Sequence, residues 1–119
     1  MTSRQGHKRR GKSFETDLMK WFRDKGYEAD RLALAGSLDE GDVVVKFPNG
    51  SALVIEAKAP ARDGKINLSG WLKEAEVEVQ NYGKARNIDT SMLRYVVIIK
   101  ATGKSLDEAY VVSKLKDNF

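Results

Sequence analysis

The first amphipathic segment of the chain predicts a helix. Apolar and aromatic residues recur at helical spacing between residues 14 and 22, and Gly26 follows them. The helix is therefore expected from about residue 11 or 12 to residue 25. Glu15 lies at the edge of the apolar stripe, where a carboxylate either complements the helix dipole or leans toward a functional site.

Five later segments have the short, β-branched or alternating patterns of strands. Two of them flank Asn49-Gly50, a dipeptide that strongly favours a hairpin turn. A longer β-branched run further on is typical of a central strand. The predicted strands are Tyr27–Leu34, Val43–Phe47, Ala52–Ile55 with an extension to Lys58, Leu93–Lys100 and Tyr110–Val112.

A second helix is predicted between the third and fourth strands, from about residue 69 or 70 to residue 85 or 86. Its apolar stripe includes Ala75, Val79 and Tyr82, and this side is expected to face the core. The element order is then α-β-β-β-α-β-β, an α/β fold with a mixed sheet of about five strands flanked by helices. At 119 residues the chain is expected to form one domain around one modest core.

Composition excludes several kinds of site. The chain has no cysteine and one histidine, so disulfides, thiolate zinc sites, cysteine nucleophiles and histidine-based catalysis in the core are not expected. A metal in this protein would be held by oxygen atoms. No apolar run reaches the length that spans a bilayer, so no membrane partner is predicted, and a cytoplasmic protein is expected, or one of the host cytoplasm if it is encoded by a phage.

The positive charge of the chain is concentrated at its N-terminus. The net charge is +4, and residues 1–12 alone contribute +5 with no acidic residue, which leaves −1 for the remainder. We predict a flexible basic arm over residues 1–12 and a single domain over residues 13–119. Such an arm serves either as a solubilising tail or as a contact for a polyanion. Its cationic residues are Arg4, Lys8, Arg9, Arg10 and Lys12.

The predicted hairpin brings acidic residues together. Pairing its strands across the turn places Asp42 opposite Glu56, within about one residue of register. Two carboxylates about 5 Å apart repel by about 3 kcal/mol at an effective dielectric of about 20. A divalent cation or a raised carboxyl pKa is the usual way to offset this. Glu56 and Lys58 project from one face of their strand and Ala57 from the other.

The ordered set of Glu15 on a helix, Asp42 at the start of a strand, and Glu56 and Lys58 on the next strand resembles the PD-(D/E)xK nuclease superfamily. The resemblance implies a restriction-endonuclease-like core. A closer resemblance, to archaeal-type Holliday junction resolvases, covers about residues 9 to 100. One difference is that Gly41 stands where that family has a proline. The resemblance is carried by Arg10-Gly11-Lys12-Ser13-Phe14-Glu15 with Leu18, Gly26-Tyr27, Gly41-Asp42-Val43-Val44 and Val54-Ile55-Glu56-Ala57-Lys58.

The resemblance implies a catalytic role for each of these charged residues. Asp42 and Glu56 would ligate Mg²⁺, for which Mn²⁺ is expected to substitute, and the Ala57 carbonyl would complete the protein ligands. Glu15 would ligate directly or through water. Lys58 would orient or activate the attacking water, and it could act as a general base only if its pKa were strongly lowered from about 10.4.

The function implied is that of a Mg²⁺-dependent, structure-selective DNA endonuclease that resolves Holliday junctions as a homodimer. The basic arm is then expected to contact branched DNA. Ser37, in the loop before Asp42, and Gln80, on the second helix, are further candidate contacts, although loop structure and a solvated helix surface also account for them.

Two alternatives stay open from the sequence. Another nuclease of the same superfamily, such as a restriction-like, flap-cutting or repair enzyme, would share the catalytic residues. A non-catalytic DNA-binding module would use the acidic residues and Lys58 as a structural ion-pair cluster, although surface ion pairs usually contribute only about 0 to 1 kcal/mol.

Overall fold

The structure, a computed structural model, describes residues 4–32 and 39–119, with side chains from Ser13 onward in the first helix. It contains two α-helices and a five-stranded sheet. The elements are α1 (Arg4–Asp24), β1 (Glu28–Arg31), β2 (Val43–Lys46), β3 (Ala52–Lys58), α2 (Leu68–Arg86), β4 (Leu93–Ile99) and β5 (Tyr110–Val112), with 3₁₀ turns at Thr90–Met92, Leu106–Glu108 and Leu115–Asp117.

The sheet is mixed, as the sequence predicts. Its strands lie side by side in chain order, from β1 to β5. The neighbours β3 and β4 are parallel and are joined through α2, whereas the other three neighbouring pairs are antiparallel. The α/β fold class and the predicted element order are therefore confirmed.

The hairpin between β2 and β3 has the predicted turn. The Phe47 N–H donates to the Ser51 carbonyl at 2.9 Å, and Gly50 has a positive φ of 89° that suits the tight turn. Val43 pairs with Ile55, so that Asp42 and Glu56 follow as the next opposite residues. This register is the one that the sequence predicts.

Each helix covers one face of the sheet. The side chain of Phe14 anchors α1, and that of Tyr82 anchors α2, and both are fully buried. The central strands are apolar on both faces because both faces are covered. The core under α1 contains Phe14, Leu18, Ala29, Val43, Val45, Ile55, Ala57, Val96 and Ile98. The core under α2 contains Val44, Ala52, Val54, Leu72, Ala75, Val79, Tyr82, Val97 and Ile99.

Two predicted boundaries are wrong. Helix α1 begins at Arg4 rather than at residue 11 or 12, so its backbone includes most of the predicted basic arm. The division of the chain at residue 12 stays a prediction. Strand β1 ends at Arg31 rather than Leu34, although the Leu32 N–H still donates to the Asp42 carbonyl at 2.8 Å. Within the described ranges, neither helix is long and apolar enough to cross a bilayer.

Capping residues fix the ends of α2 close to their predicted positions. The Asn67 side chain accepts a hydrogen bond from the Gly70 N–H at 3.1 Å, which satisfies one of the free donors of the first turn. At the other end Asn87 adopts the left-handed conformation with φ 53°, which terminates the helix. These caps set where the acidic residues of α2 meet the sheet.

Gly41 explains the absence of a proline before Asp42. Its φ is +104°, which proline cannot adopt because its ring holds φ near −65°. A Cβ at this position would also lie 2.6 Å from Val54 Cγ1. The chain therefore reaches Asp42 by a backbone path that requires glycine.

We expect Gly41→Ala to destabilise the protein by about 2–4 kcal/mol, since it combines a strained positive φ with overpacking against Val54. Gly26→Ala is the matched control. Gly26 also has a positive φ, of 92°, but a Cβ there meets nothing within 4 Å, so only the backbone cost of about 1–2 kcal/mol applies. Urea denaturation measures both, and equal losses would contradict the packing argument.

Candidate active site

Asp42 lies immediately before β2, where backbone hydrogen bonds hold its position. Its N–H donates to the Ile55 carbonyl at 3.0 Å. Its Oδ2 accepts from the Ala57 N–H at 2.8 Å. The carboxylate is thus fixed against the strand that carries Glu56.

Glu56 and Lys58 project from β3 toward α2, whereas Ala57 is buried on the α1 side. Glu56 is only 5% exposed, and its Oε2 has no hydrogen-bond partner within residues 13–32 and 39–119. Lys58 Nζ lies 3.5 Å from Glu56 Oε1 and 3.0 Å from Glu74 Oε2 on α2. The ammonium also lies over the Trp71 ring, 5.6 Å from its centroid. Lys58 is therefore held by three groups.

Glu15 reaches the same end of the sheet from α1. It lies close enough to Asp42 for a hydrogen bond between the two side chains to help raise the pKa of Asp42, after burial and Glu56. Its Oε2 also accepts from Arg31 Nη2 at 2.9 Å. Three acidic residues from three different elements therefore converge on one place.

The sequence analysis missed Glu78 and Glu74. Both extend the acidic site from α2, and one carboxylate oxygen each of Glu56, Glu74 and Glu78 lie within 4.8 Å of one another. Glu78 is buried, with 2% exposure. A signal for Glu78 was present, because it is three residues after Ala75 and four before Tyr82 and so belongs to the apolar stripe of the helix.

Burial and mutual repulsion keep protons on these carboxyl groups. Burial is the main cause that raises the pKa of Asp42 well above its usual range, and the charge of Glu56 adds to it. The pKa of Glu56 is also raised, by burial and then by Glu78. Burial raises the pKa of Glu78 to about 7.

In Lys58, neighbouring charges together have a larger effect on the pKa than burial does. Burial lowers the pKa of its ammonium, but the carboxylates of Glu74 and Glu56 outweigh burial and leave the pKa raised overall. Lys58 is therefore positively charged at neutral pH. A role as a general base, which requires a lowered pKa, does not fit this site.

Two polar contacts with α2 hold the segment just before Asp42. Glu40 is buried and accepts from Arg86 Nη1 at 2.7 Å, while the Arg86 guanidinium stacks 3.9 Å from the centre of the Tyr82 ring. The Asn81 side chain donates to the Asp39 carbonyl at 2.9 Å. The position of Asp42 thus depends on α2 as well as on the hairpin.

The predicted DNA contacts lie elsewhere or outside the described part. Gln80 is exposed beside Lys84 and Asn87, in a groove near the end of α2. It is two residues from Glu78 and therefore about 200° away around the helix. Ser37 lies outside the described residues, as do the side chains of the five cations of the arm, Arg4, Lys8, Arg9, Arg10 and Lys12. These contacts stay predictions.

The residues present fit a hard divalent cation. Mg²⁺ prefers oxygen ligands and usually takes one or two carboxylates, together with waters and substrate phosphate. Asp42 and Glu56 are adjacent acidic groups, and Glu56 Oε2 is a buried oxygen atom without a hydrogen-bond partner in the part of the chain that the structure describes. The donor set therefore suits magnesium or manganese rather than zinc.

The fold and the site together define a nuclease of the PD-(D/E)xK superfamily. More specifically, the chain belongs to the archaeal Holliday junction resolvase family, because a model of that family, described as "Archaeal holliday junction resolvase (hjc)", matches residues 6–80. The match confirms both the family and the resolvase function that the sequence resemblance implied.

A solved structure has a similar fold. It is that of Archaeoglobus fulgidus Hjc, described as a Holliday junction resolvase from an archaeal hyperthermophile. The TM-score is 0.53 at 21% sequence identity, over 80% of this chain and 72% of that one. No curated protein matches the chain.

We expect the metal-free protein to lose stability as the pH rises from about 4 through about 9. The folded carboxyl groups have raised pKa values, so the folded state binds more protons than the unfolded state in this range. The loss should reach a few kcal/mol, at about 1.4 kcal/mol for each pKa unit. Thermal melting in a chelating buffer at several pH values measures it.

The double variant Asp42→Asn, Glu56→Gln should show a much flatter pH dependence. Asp30→Asn, which removes an exposed ion pair with Arg23, is the control and should keep the wild-type profile. Stability that rises with pH in the metal-free protein would contradict the assignment of these groups.

Proposed function

We propose that this resolvase is a metal-dependent endonuclease whose active site consists of Glu15, Asp42, Glu56 and Lys58. The observation that carries the proposal is the hairpin register, which sets Asp42 and Glu56 opposite each other beside an ammonium held in place. The proposed substrate is a four-way DNA junction, cut by hydrolysis of a phosphodiester bond. We retain the cytoplasm as the proposed location, where a cellular or phage genome would present such junctions.

The carboxylates and the Ala57 carbonyl would hold Mg²⁺ or Mn²⁺. A bound cation of this kind makes a coordinated water more acidic and offsets charge on the phosphoryl oxygens. Glu15 would act directly or through a water molecule, and Arg31 orients it by the 2.9 Å ion pair.

Lys58 would stabilise negative charge on the phosphate and position the attacking water. Its raised pKa keeps the ammonium protonated, so it acts by charge and hydrogen bonding. Glu74 and Trp71 hold the ammonium from the α2 side. This placement fixes the direction of a long side chain that would otherwise sample many rotamers.

Asp42→Asn and Glu56→Gln should each lower the rate of junction cleavage by about two orders of magnitude or more, because each removes one charged metal ligand. The assay is cleavage of a labelled four-way junction in Mg²⁺, with Mn²⁺ as a second metal. Glu76→Gln is a matched control on α2, since Glu76 pairs with Lys114 away from the site. Variants of Asp42 and Glu56 that cut as fast as the wild type would refute the proposed site.

The substrate part of the proposal is tested on the same enzyme with different DNA. Junction, flap, nicked and linear duplex substrates of equal sequence should be cut in an order led by the junction. A linear duplex cut faster than the junction would reject the proposed preference while leaving the metal-dependent nuclease intact.

A homodimer is part of the proposal, because a two-fold dimer presents two identical sites to the two strands of a symmetric junction. An exposed apolar surface supports it. Tyr110 and Val111, on edge strand β5, are 56% and 66% exposed. They border a groove of about 720 Å³ together with the exposed Ile66 and Leu68. An apolar groove beside an exposed edge strand is a candidate surface for contact with a second copy of the chain.

We expect Val111→Glu to convert a wild-type dimer to a monomer, because it places a charge in the proposed interface. Leu115→Glu is the control, since Leu115 is 78% exposed and does not line this groove. Sedimentation measures the mass and circular dichroism the fold. A wild type that sediments as a monomer of 13.3 kDa would refute the dimer.

A further inference from the structure

Glu78 is a buried carboxyl group that the assigned roles do not use. It is 2% exposed, and neither of its oxygen atoms has a hydrogen-bond partner among the described residues. Burying a carboxylate without a partner is costly, and native proteins seldom retain one without a compensating group. The position of Glu78 therefore requires an explanation beyond packing.

The oxygen atoms of Glu78 point into an acidic cluster. One oxygen each from Glu56, Glu74 and Glu78 lie within 4.8 Å of one another, although they come from β3 and from two turns of α2. Glu56 Oε2 also lacks a partner. The cluster and the unpartnered buried atoms are separate observations, and both indicate that a cationic ligand is missing between β3 and α2.

Lys58 does not supply that missing charge. Its ammonium contacts Glu74 Oε2 at 3.0 Å and Glu56 Oε1 at 3.5 Å, and no contact joins it to Glu78. The ammonium is thus paired with Glu56 and Glu74, and Glu78 lies outside these contacts. Gly41 borders the space beside Glu78, since a Cβ there would lie in ordinary van der Waals contact with Glu78 Oε2, at 3.5 Å.

We propose that Glu78, together with Glu56 and Glu74, holds a second divalent cation beside the one assigned to Asp42 and Glu56. Glu56 would be shared between the two ions, since its two oxygen atoms allow it to contact both. This inference rests on the proposed metal-dependent nuclease. The ligands are oxygen atoms only, so the cation is of the magnesium or manganese class.

Counting bound Mn²⁺ in the DNA-free protein tests the second site. The electron paramagnetic resonance signal of free Mn²⁺ reports the unbound fraction as the metal is raised into the millimolar range. We expect two ions per wild-type chain and one per Glu78→Gln chain. Glu76→Gln, the same change two residues away on α2, should still bind two ions. Glu74→Gln should lower the affinity for the second ion by about 10- to 100-fold or more, because even the loss of an outer-shell group has an effect of that size.

Thermal melting separates a metal ligand from a structural residue. Glu78→Gln removes the charge of a buried carboxyl group, so at a pH above the Glu78 pKa of about 7 the metal-free variant should melt above the metal-free wild type. Because fewer ions bind its folded state, Mn²⁺ should raise its melting temperature less than that of the wild type. A variant that melts lower than the wild type with and without metal, and still binds the wild-type number of ions, would show a structural role and overturn the proposal.

The outcomes also distinguish this inference from the proposed function. One Mn²⁺ per wild-type chain together with junction cleavage that depends on Asp42 would overturn the second site and leave the nuclease standing. No bound Mn²⁺ and no cleavage would overturn both.

Discussion

The structure depends on the antiparallel register of β2 and β3. The buried partners Val43 and Ile55 fix this register, because a slip by one residue would turn their side chains from the core to the opposite face. The same register then places Asp42 beside Glu56. Burial of apolar residues thus forces two carboxyl groups together, and the hairpin cannot form its core without forming the acidic pair.

Helix α2 supplies the other contacts that position the acidic site. Arg86 and Asn81 hold the segment that leads to Asp42, and Glu74 fixes Lys58. The positive φ of Gly41 lets the backbone pass close to Val54 and Glu78. The acidic site is therefore a property of the packing between α2 and the sheet, which explains why residues distant in sequence share it.

Sequence patterns predict the fold and the strand-borne part of the site because these depend on local periodicity. Alternation along β3 separates Glu56 and Lys58 from Ala57. The Asn49-Gly50 turn sets the strand register that places Asp42 opposite Glu56. Glu78 was missed because helical spacing alone places it in the apolar stripe of α2 without showing that packing against the sheet buries its carboxyl group. The start of α1 was placed too late, since helical backbone there extends through a highly charged segment without an apolar stripe.

Under the proposed function, the folded state holds its buried acidic groups in position for bound cations. In the metal-free protein their raised pKa values keep these groups protonated and neutral. As the pH rises they must ionise while buried, and the protein loses stability. A cation that binds the folded state and not the unfolded state raises the free energy of unfolding and so offsets this loss. Lys58 cannot take the place of that cation, because its contacts leave Glu78 and one oxygen of Glu56 without partners among the residues that the structure describes. The same desolvation that makes these carboxyl groups unfavourable alone would strengthen their attraction for a divalent ion.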